Sequence, residues 1–280
     1  MDRIPKILHM YWDHSPMSRL QVFTIESFHR LNPDWKIDLY IPIQKYIGES
    51  RYIPDYTYKD YFKSLYHLPY LHIIEIDLDA FFIRQDLHNI LRSDILRYHL
   101  LYDHGGVWSD FDVIWLRPMS DINLIDTVGY VSIREMGAMV TLYEVTKGYH
   151  NIGVLMSVPN HPMYKEIIDR CNLIQETHNE FGHQEFGSEM LNNLLPDLDY
   201  ITNKYEDVVG FPYEAFAPYS IFEMDKLYHD TDMTPLDNKN VIGLHWFNGH
   251  KFSKDYVNNN LYGNESSMTK ILDLCGYSNV

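Results

Sequence analysis

Two aspartates one residue apart follow a pair of glycines in residues 105–112, GGVWSDFD. The carboxylates of Asp110 and Asp112 would repel each other unless a cation compensated their charge. Divalent cations such as Mn²⁺ or Mg²⁺ bind carboxylate oxygens and keep other coordination positions for substrate phosphates. The pattern therefore predicts that Asp110 and Asp112 bind a divalent cation that in turn holds a diphosphate.

The Asp-x-Asp spacing alone is weak evidence, because the sequence contains several such pairs. They are Asp77/Asp79, Asp110/Asp112, Asp197/Asp199 and Asp230/Asp232. The last two pairs lie in polar sequence, where solvated charge is the ordinary interpretation. The first pair lies in an apolar run, HIIEIDLDAFF, and remains an alternative. Asp110/Asp112 is preferred because it lies between a helix that ends in glycines and a strand, and ligands bind at such loop ends of α/β sheets.

A second polar group lies in the helix predicted just before this motif. Asp94 and Arg97 are three residues apart, so they share one helical face and can form an ion pair. Beside a metal, an oriented Asp-Arg pair also suits the hydroxyl groups of a bound sugar. Taken alone, the two residues favour the simple ion pair.

The elements that must position these residues alternate between strand and helix. Residues 4–12 predict a buried first strand, residues 15–31 an amphipathic helix, and residues 36–41 a second strand. Together they form the start of a βαβ unit. Residues 50–84 show no clean period, and we expect short helices and loops there.

The rest of the chain continues the alternation. Helices are predicted over residues 89–104, 163–177 and 188–195, and strands over residues 113–116, 128–133, 151–157 and 241–247. No internal repeat or linker-like stretch separates a second unit. Residues 1–280 are therefore predicted to form a single domain of the α/β class.

Charge and cysteine content exclude several classes of protein. The 39 acidic and 23 basic residues give a formal net charge of -16, which repels nucleic-acid backbones and anionic membrane surfaces. Cys171 and Cys275 are far apart and indicate reduced thiols, not a disulfide framework. The sequence shows no signal peptide and no apolar window of about 18 residues. We therefore predict a soluble, cytoplasmic protein with no nucleic-acid partner and no integral membrane segment.

Residues 93–112 resemble the central signature of the DXD-type, sugar-binding-region glycosyltransferases. The matching positions are Ser93, Asp94, Arg97, Leu100, Leu101, Gly105, Gly106, Val107, Trp108, Asp110 and Asp112. Residues 4–9 resemble the family's first strand, and residues 151–153 with 159–162 resemble its later strand and turn. The group includes fungal initiating mannosyltransferases, bacterial capsular-sugar transferases and, more distantly, the glucosylating clostridial toxins. The resemblance implies a GT-A fold with a Rossmann-like mixed sheet flanked by helices, a nucleotide-sugar donor and a Mn²⁺ or Mg²⁺ cofactor.

The resemblance also implies roles for residues of the signature. Asp112 would ligate the cation, while Asp110 would contact the ribose and a cation-bound water. Asp94 and Arg97 would hold hydroxyl groups of the donor sugar. Trp108 would line the nucleotide site.

Further implied roles lie near the two ends of the sequence. Trp12, at the end of the first strand, would stack on the base, as aromatic faces do. Proteins of this fold often complete the metal shell with a histidine near the C-terminus, and His245 is the candidate. Lys251 or Ser253 would then reach the diphosphate.

The sequence therefore predicts a metal-dependent glycosyltransferase that moves a sugar onto a hydroxyl of a glycan or glycoprotein acceptor. The donor is expected to be a UDP-sugar such as UDP-xylose, UDP-galactose or UDP-glucose, by family analogy. Residues 182–189 match the family's acceptor-side segment poorly. Glu185 and Glu189 are the candidate general bases if the enzyme inverts the anomeric centre, whereas a retaining enzyme uses the departing phosphate.

Three alternatives stay open at this point. One is a GDP-mannose-dependent mannosyltransferase. Another is an aspartate-nucleophile phosphohydrolase, because residues 110–113 resemble its D-x-D-x-V motif. That fold requires an apolar strand immediately before Asp110, and the residues found there argue against it: Gly105, Gly106, Trp108 and Ser109. The third is a lectin that binds sugars without catalysis.

Overall fold

The computed structural model describes residues 3–46, 57–142 and 150–277. In this part of the chain the strands are β1 (Ile7–Tyr11), β2 (Lys36–Pro42), β3 (Leu71–Ile76), β4 (Gly106–Ser109), β5 (Val113–Trp115), β6 (Ala138–Leu142), β7 (Val154–Ser157), β8 (Val208–Pro212) and β9 (Gly243–His245). The α-helices are α1 (Arg19–Leu31), α2 (Asn89–His104), α3 (Pro162–Thr177), α4 (Ser188–Leu194), α5 (Leu198–Lys204), α6 (Met224–His229), α7 (Lys251–Asn258) and α8 (Ser267–Leu274).

One mixed sheet organises the molecule, with the strand order β3-β2-β1-β4-β7-β6-β8. Strands β3, β2, β1 and β4 are mutually parallel, β7 is antiparallel to both β4 and β6, and β8 is parallel to β6. Every strand except β7 therefore has its carboxyl end at the same edge of the sheet. The amino end of β7 lies at that edge too. The remaining strands, β5 and β9, form a separate antiparallel pair.

Helices cover both faces of the sheet. Alternation along β1 and β4 sends Trp108 to the side where α2 and α3 pack, and Leu8 and Val107 to the side where α1 packs. The expected GT-A-type architecture, a mixed α/β sheet flanked by helices, is confirmed. That residues 1–280 form one domain stays a prediction. Among the described residues, no helix is both long enough and apolar enough to cross a bilayer.

The predicted strand, helix and strand at the start of the chain are confirmed as β1, α1 and β2. The helix begins where Ser18 and Gln21 form a capping box, in which the Ser18 hydroxyl accepts from the Gln21 amide and the Gln21 side chain accepts from the Ser18 amide. It ends at Asn32, whose side chain donates to the Phe28 carbonyl. Because residues next to α1 cap both of its ends, the sequence alone was sufficient to predict this helix.

The glycine pair ends α2 and turns the chain into β4. Gly105 ends the helix with φ +64°, and Gly106 has φ +93°. A Cβ at Gly106 would lie 2.6 Å from the Ile7 carbonyl oxygen, so only glycine lets β4 approach β1. Strand β4 begins at Gly106, and the expectation that no strand precedes Asp110 was therefore wrong.

Two other predictions about strands were wrong. Residues 128–133 do not form a strand, because only Val128 pairs with β8, through an isolated bridge to Gly210 on the edge of β8 away from β6. Within residues 50–84, where we expected short helices and loops, residues 50–56 lie outside the described residues and β3 is a regular strand paired with β2. Strand β3 lies at the edge of the sheet and is partly exposed, so the polar residues His72 and Glu75 interrupt the alternation of apolar and polar residues expected of a strand.

The competing aspartate pairs cap local turns. Asp77 follows β3, and its carboxylate accepts from the Asp79 amide at the start of a 3₁₀ turn. Both residues are exposed. Asp197 caps α5 through the Tyr200 amide, and Asp232 accepts from the Thr234 amide. Turn capping accounts for these carboxylates without a ligand.

Candidate active site

A cavity of about 680 Å³ opens at the edge where the carboxyl ends of the strands gather. Trp12 enters it after β1, Asp110 and Asp112 after β4, and Tyr213 after β8. Gly153, just before β7, closes its floor. This is the edge at which parallel α/β sheets bind ligands.

Asp110 is held at the floor by three contacts. Its Oδ1 accepts from Nε1 of Trp108 at 2.9 Å and lies 3.4 Å from a terminal nitrogen of Arg97. Its backbone amide donates to the Gly153 carbonyl at 2.8 Å. Burial raises the pKa of Asp110, the positive charge of Arg97 opposes that rise, and the nearby Asp112 reinforces it.

Asp112 pairs with His245. Oδ1 of Asp112 lies 3.1 Å from Nε2 of His245, and Oδ2 accepts from the backbone amide of Asn248 at 2.9 Å. Burial alone would raise the pKa of Asp112, but the attraction of His245 and these hydrogen bonds outweigh it and lower the pKa. The pKa of His245 is raised because the attraction of Asp112 outweighs the effect of burial.

Two of the three predicted metal ligands, Asp112 and His245, lie side by side. Ligand atoms at neighbouring octahedral positions about 2.1 Å from an ion are about 3 Å apart, and Asp112 and His245 present an oxygen and a nitrogen at 3.1 Å. Across the described residues, no group of three or more histidine, cysteine or acidic side chains is arranged as a metal-binding set. Asp112 and His245 fit a cation as two ligands, whereas the Asp110 carboxylate is already engaged by Trp108 and Arg97.

Asp94 and Arg97 form the ion pair that their spacing predicted. Oδ1 of Asp94 lies 2.6 Å from a terminal nitrogen of Arg97, and each residue is only 3% exposed. The other terminal nitrogen of Arg97 donates to the Ile152 carbonyl at 2.7 Å, and the guanidinium lies over the Trp108 ring. Burial raises the pKa of Asp94, and Arg97 opposes the rise. Both residues line the cavity, so the pair is also a candidate for binding hydroxyl groups.

Trp12 and Trp108 both line the cavity but differ in exposure. The Trp12 indole is half-buried, donates to the Ser15 carbonyl at 2.7 Å and packs edge-on against Phe111. Trp108 is 1% exposed and anchors Asp110 through its indole nitrogen. Trp12 is therefore the better placed of the two to stack on a ligand.

Four of the predicted site residues do not line the cavity. Ser253 is buried and donates to the Trp246 carbonyl at 2.6 Å, so its hydroxyl is already used. Lys251 is exposed and lies over the Phe252 ring. Glu189 is exposed on α4, and the Glu185 carboxylate accepts from the Gly182 amide at 3.4 Å.

Neighbours of these residues line the cavity instead, and sequence reasoning missed them. Lys254, one turn after Lys251 on α7, reaches it, as do His183, Gln184 and Ser188 around the two glutamates. The Gln184 side chain accepts from the Ser188 amide at 3.2 Å. Helical periodicity was the only available signal for Lys254, and the sequence offered none for Gln184.

Comparison with known proteins supports the resemblance noted in the sequence. Residues 18–129 match the family described as "glycosyltransferase sugar-binding region containing DXD motif". The predicted resemblance to the DXD-type glycosyltransferases is confirmed. The matched segment contains α1, the Asp94-Arg97 pair and both aspartates of the motif.

Two relatives match about half of the chain. An uncharacterized glycosyltransferase of Acanthamoeba polyphaga mimivirus is 26% identical over 139 residues, which are 46% of this chain and 51% of the relative. Inositol phosphoceramide mannosyltransferase 1 of Schizosaccharomyces pombe is 25% identical over 128 residues, or 44% and 32%. The chain thus spans about half of the first relative and about a third of the second.

Solved structures of glycosyltransferases are also similar. GlyE of Streptococcus pneumoniae is 13% identical, with a TM-score of 0.48 over 87% of this chain and 55% of that one. The galactosyltransferase LgtC, solved with donor and acceptor sugar analogues, is 11% identical, with a TM-score of 0.44 over 98% and 97%.

Proposed function

We propose that this protein is a divalent-cation-dependent glycosyltransferase that moves a sugar from a UDP-sugar to a hydroxyl group of a glycan acceptor. The observation that carries the proposal is the meeting of Asp112 with His245 in the cavity that also holds Asp110, Asp94 and Arg97. A nucleoside diphosphate needs a cation site, and a sugar needs fixed hydrogen-bonding groups. Candidate groups for the cation and for the sugar line this one cavity.

Each region of the cavity has a proposed task. Trp12 binds the base, Asp112 and His245 hold Mn²⁺ or Mg²⁺, and Asp94 with Arg97 binds the sugar hydroxyls. When bound, the cation stabilises the negative charge that develops on the departing diphosphate. Lys254 also lines the cavity, and its positive charge stabilises the departing diphosphate in the same way.

The carboxylates of the cavity favour a retaining reaction. Among the described lining residues they are Asp13, Asp94, Asp110 and Asp112. Asp94 is paired with Arg97, Asp13 accepts from the Ser15 amide beside the proposed base site, and the other two lie at the proposed cation site. None is left as a general base, so an oxygen of the departing phosphate takes the acceptor proton while the acceptor oxygen bonds to the anomeric carbon.

GDP-mannose is the second candidate donor. It is supported by the Schizosaccharomyces pombe relative, which is described as a mannosyltransferase. The UDP-sugar proposal and this alternative use the same cation site and differ in the base that Trp12 stacks on and in the sugar that Asp94 and Arg97 bind.

A donor panel tests the proposal. UDP-glucose, UDP-galactose, UDP-xylose and GDP-mannose are incubated with the protein and Mn²⁺, with and without chelator, and nucleoside diphosphate release is measured. We expect one donor to be turned over, chelator to abolish turnover, and Asp112→Asn to reduce it on the order of 10²- to 10³-fold. Asp79→Asn is the matched control, since Asp79 is exposed and outside the cavity.

Other results support the competing functions. Chelator-insensitive turnover would remove the role of the cation. Release of inorganic phosphate from aryl phosphates, lost in Asp110→Asn, would indicate the phosphohydrolase, whose required strand before Asp110 is present as β4. Sugar binding without any affinity for nucleotides would indicate a lectin.

A further inference from the structure

The cavity extends to different distances on the two sides of Asp110, because of the order of the strands. Strand β1, which leads to Trp12, is the immediate neighbour of β4 on one side. Strand β8, which leads to Tyr213, is the third strand from β4 on the other side. At about 4.8 Å per strand, the Tyr213 end lies roughly 14 Å from the β4 end, against about 5 Å for the Trp12 end. A donor seated between Trp12 and Asp94 therefore leaves the β8 side for a second substrate.

The wall on the β8 side is apolar and aromatic. Tyr213 begins a short 3₁₀ turn directly after β8 and lines the cavity. Ile221 lines it from the next 3₁₀ turn and is 40% exposed. The following residue, Phe222, does not line the cavity but is 80% exposed beside Ile221. Apolar rings and side chains at the mouth of a polar cavity suit the C–H face of a sugar ring, since that face stacks on aromatic groups.

Charge on this wall disfavours an anionic ligand. The segment from Tyr213 to Ile221 contributes no cation to the cavity, and its neighbours Glu214 and Glu223 are acidic. Lys226, the nearest cation along the chain, is paired with Glu223 at 2.7 Å. The whole chain carries a formal net charge of -16. A phosphate or carboxylate on the acceptor would find no positive partner within this segment, and the cations Arg97 and Lys254 of the cavity are assigned to the donor sugar and the diphosphate.

We propose that Tyr213, Ile221 and Phe222 form the acceptor subsite, and that it takes a neutral saccharide whose apolar ring face packs on these side chains. The inference rests on the proposed function and adds the class of acceptor to it. The acceptor hydroxyl then points toward Asp94 and Arg97, where the donor sugar is held, and the rest of the acceptor leaves the cavity past Phe222.

Acceptor-dependent kinetics test this inference. With the donor that the panel identifies, nucleoside diphosphate release is measured with water alone, with methyl β-glucoside or methyl β-galactoside, and with glucuronic acid or inositol 1-phosphate. We expect a neutral glycoside to accelerate release and the two anions to be at least tenfold poorer. Phe222→Ala and Ile221→Ser should raise the KM for the neutral acceptor about three- to tenfold and the KM for the donor by less.

Phe82→Ala is the matched control, because Phe82 is 78% exposed and follows β3, at the opposite end of the sheet from β8. Equal acceptor KM values for wild type, Phe222→Ala and Ile221→Ser would overturn the inference. So would glucuronic acid or inositol 1-phosphate serving as well as the neutral glycosides, or no acceleration by any neutral glycoside. These results leave the proposed function standing if donor hydrolysis persists, whereas no turnover of any donor by the wild type refutes both.

Discussion

Asp112 and His245 are brought into contact by the pairing of two three-residue strands. Val113, the first residue of β5, lies opposite His245, the last residue of β9, in the antiparallel ladder. Asp112 immediately precedes that ladder, and its carbonyl accepts from the Trp246 amide at 2.9 Å. The 3.1 Å separation of the two side chains is therefore fixed by backbone hydrogen bonds on both sides.

His245→Ala is expected to weaken Mn²⁺ binding at least tenfold in the presence of UDP, because it removes one of two proposed ligands and leaves Asp112 without its partner. Isothermal titration calorimetry measures the affinity. His183→Ala is the control, since His183 lines the same cavity but does not belong to the ladder that brings Asp112 and His245 together. Unchanged Mn²⁺ affinity in the His245 variant would show that the cation, if bound, lies elsewhere.

Trp12→Ala is expected to weaken UDP binding by about 1–3 kcal/mol, the usual loss when an aromatic stacking partner of a base is removed. Trp12→Phe should recover part of it, since a phenyl ring also stacks. Equilibrium binding of UDP, measured by calorimetry, gives both values. If Trp12→Ala binds UDP as tightly as the wild type does, the base does not lie on this indole.

Gly187→Ala is expected to reduce turnover about tenfold while changing thermal stability little. A Cβ at this position would lie 2.7 Å from Oε1 of Gln184 and 3.3 Å from Oδ2 of Asp94. The flexible Gln184 side chain must move, and this side chain lines the cavity together with Asp94 and Arg97. Steady-state kcat and a thermal melt are compared with those of Gln184→Ala. A variant that melts far below the wild type would instead show that Gly187 is needed for packing.

Unfolding free energy is expected to fall as the pH drops from 6.5 toward 4, in part through His9. Burial lowers the pKa of His9 from 6.5 to about 4. The unfolded chain therefore binds a proton in this interval that the folded chain does not, and stability present above pH 6.5 is lost below it. The loss attributable to this residue is about 2 kcal/mol by pH 5.

Urea unfolding of His9→Gln at pH 7.5, 6 and 5 checks this. The variant should be less stable at pH 7.5, because Nε2 of His9 bonds the Gly105 carbonyl at 2.8 Å and Nδ1 bonds the Tyr40 hydroxyl at 3.1 Å. Its stability should depend less on pH than that of the wild type. His67→Gln, at an exposed position, is the control. Parallel pH profiles for wild type and His9→Gln would exclude His9 as the titrating group.

Elements that carry their own signals were predictable from the sequence. Helix α1 has a capping box and one apolar face, and Asp94 and Arg97 sit one turn apart on α2, so local spacing was sufficient. Strand β3 was missed because edge strands expose part of each face and lose the regular alternation. The predicted strand over residues 128–133 failed because pairing partners, not local propensity, decide which apolar run joins the sheet.

The site residues also divide into those that a local sequence pattern identifies and those that depend on contacts between distant parts of the chain. Asp110 and Asp112 follow one strand, so a motif could identify them. The contact of Asp112 with His245 depends on two strands far apart in the chain, and only the resemblance pointed to it. Lys254 replaced Lys251 in the cavity because the rotation of α7 about its axis is set by tertiary packing, which spacing does not reveal.

The sheet order also separates the chain's two recognition tasks by sequence. The side chains proposed for the base and donor sugar precede residue 113, whereas those proposed for the acceptor follow β8. The Phe216 carbonyl at the end of the first turn after β8 accepts from the His245 amide at 2.6 Å, so only the second turn, with Ile221 and Phe222, is independent of the proposed cation site. A related chain could exchange its acceptor by replacing that turn, and a chimera that carried it from another parent would keep the donor preference of the first.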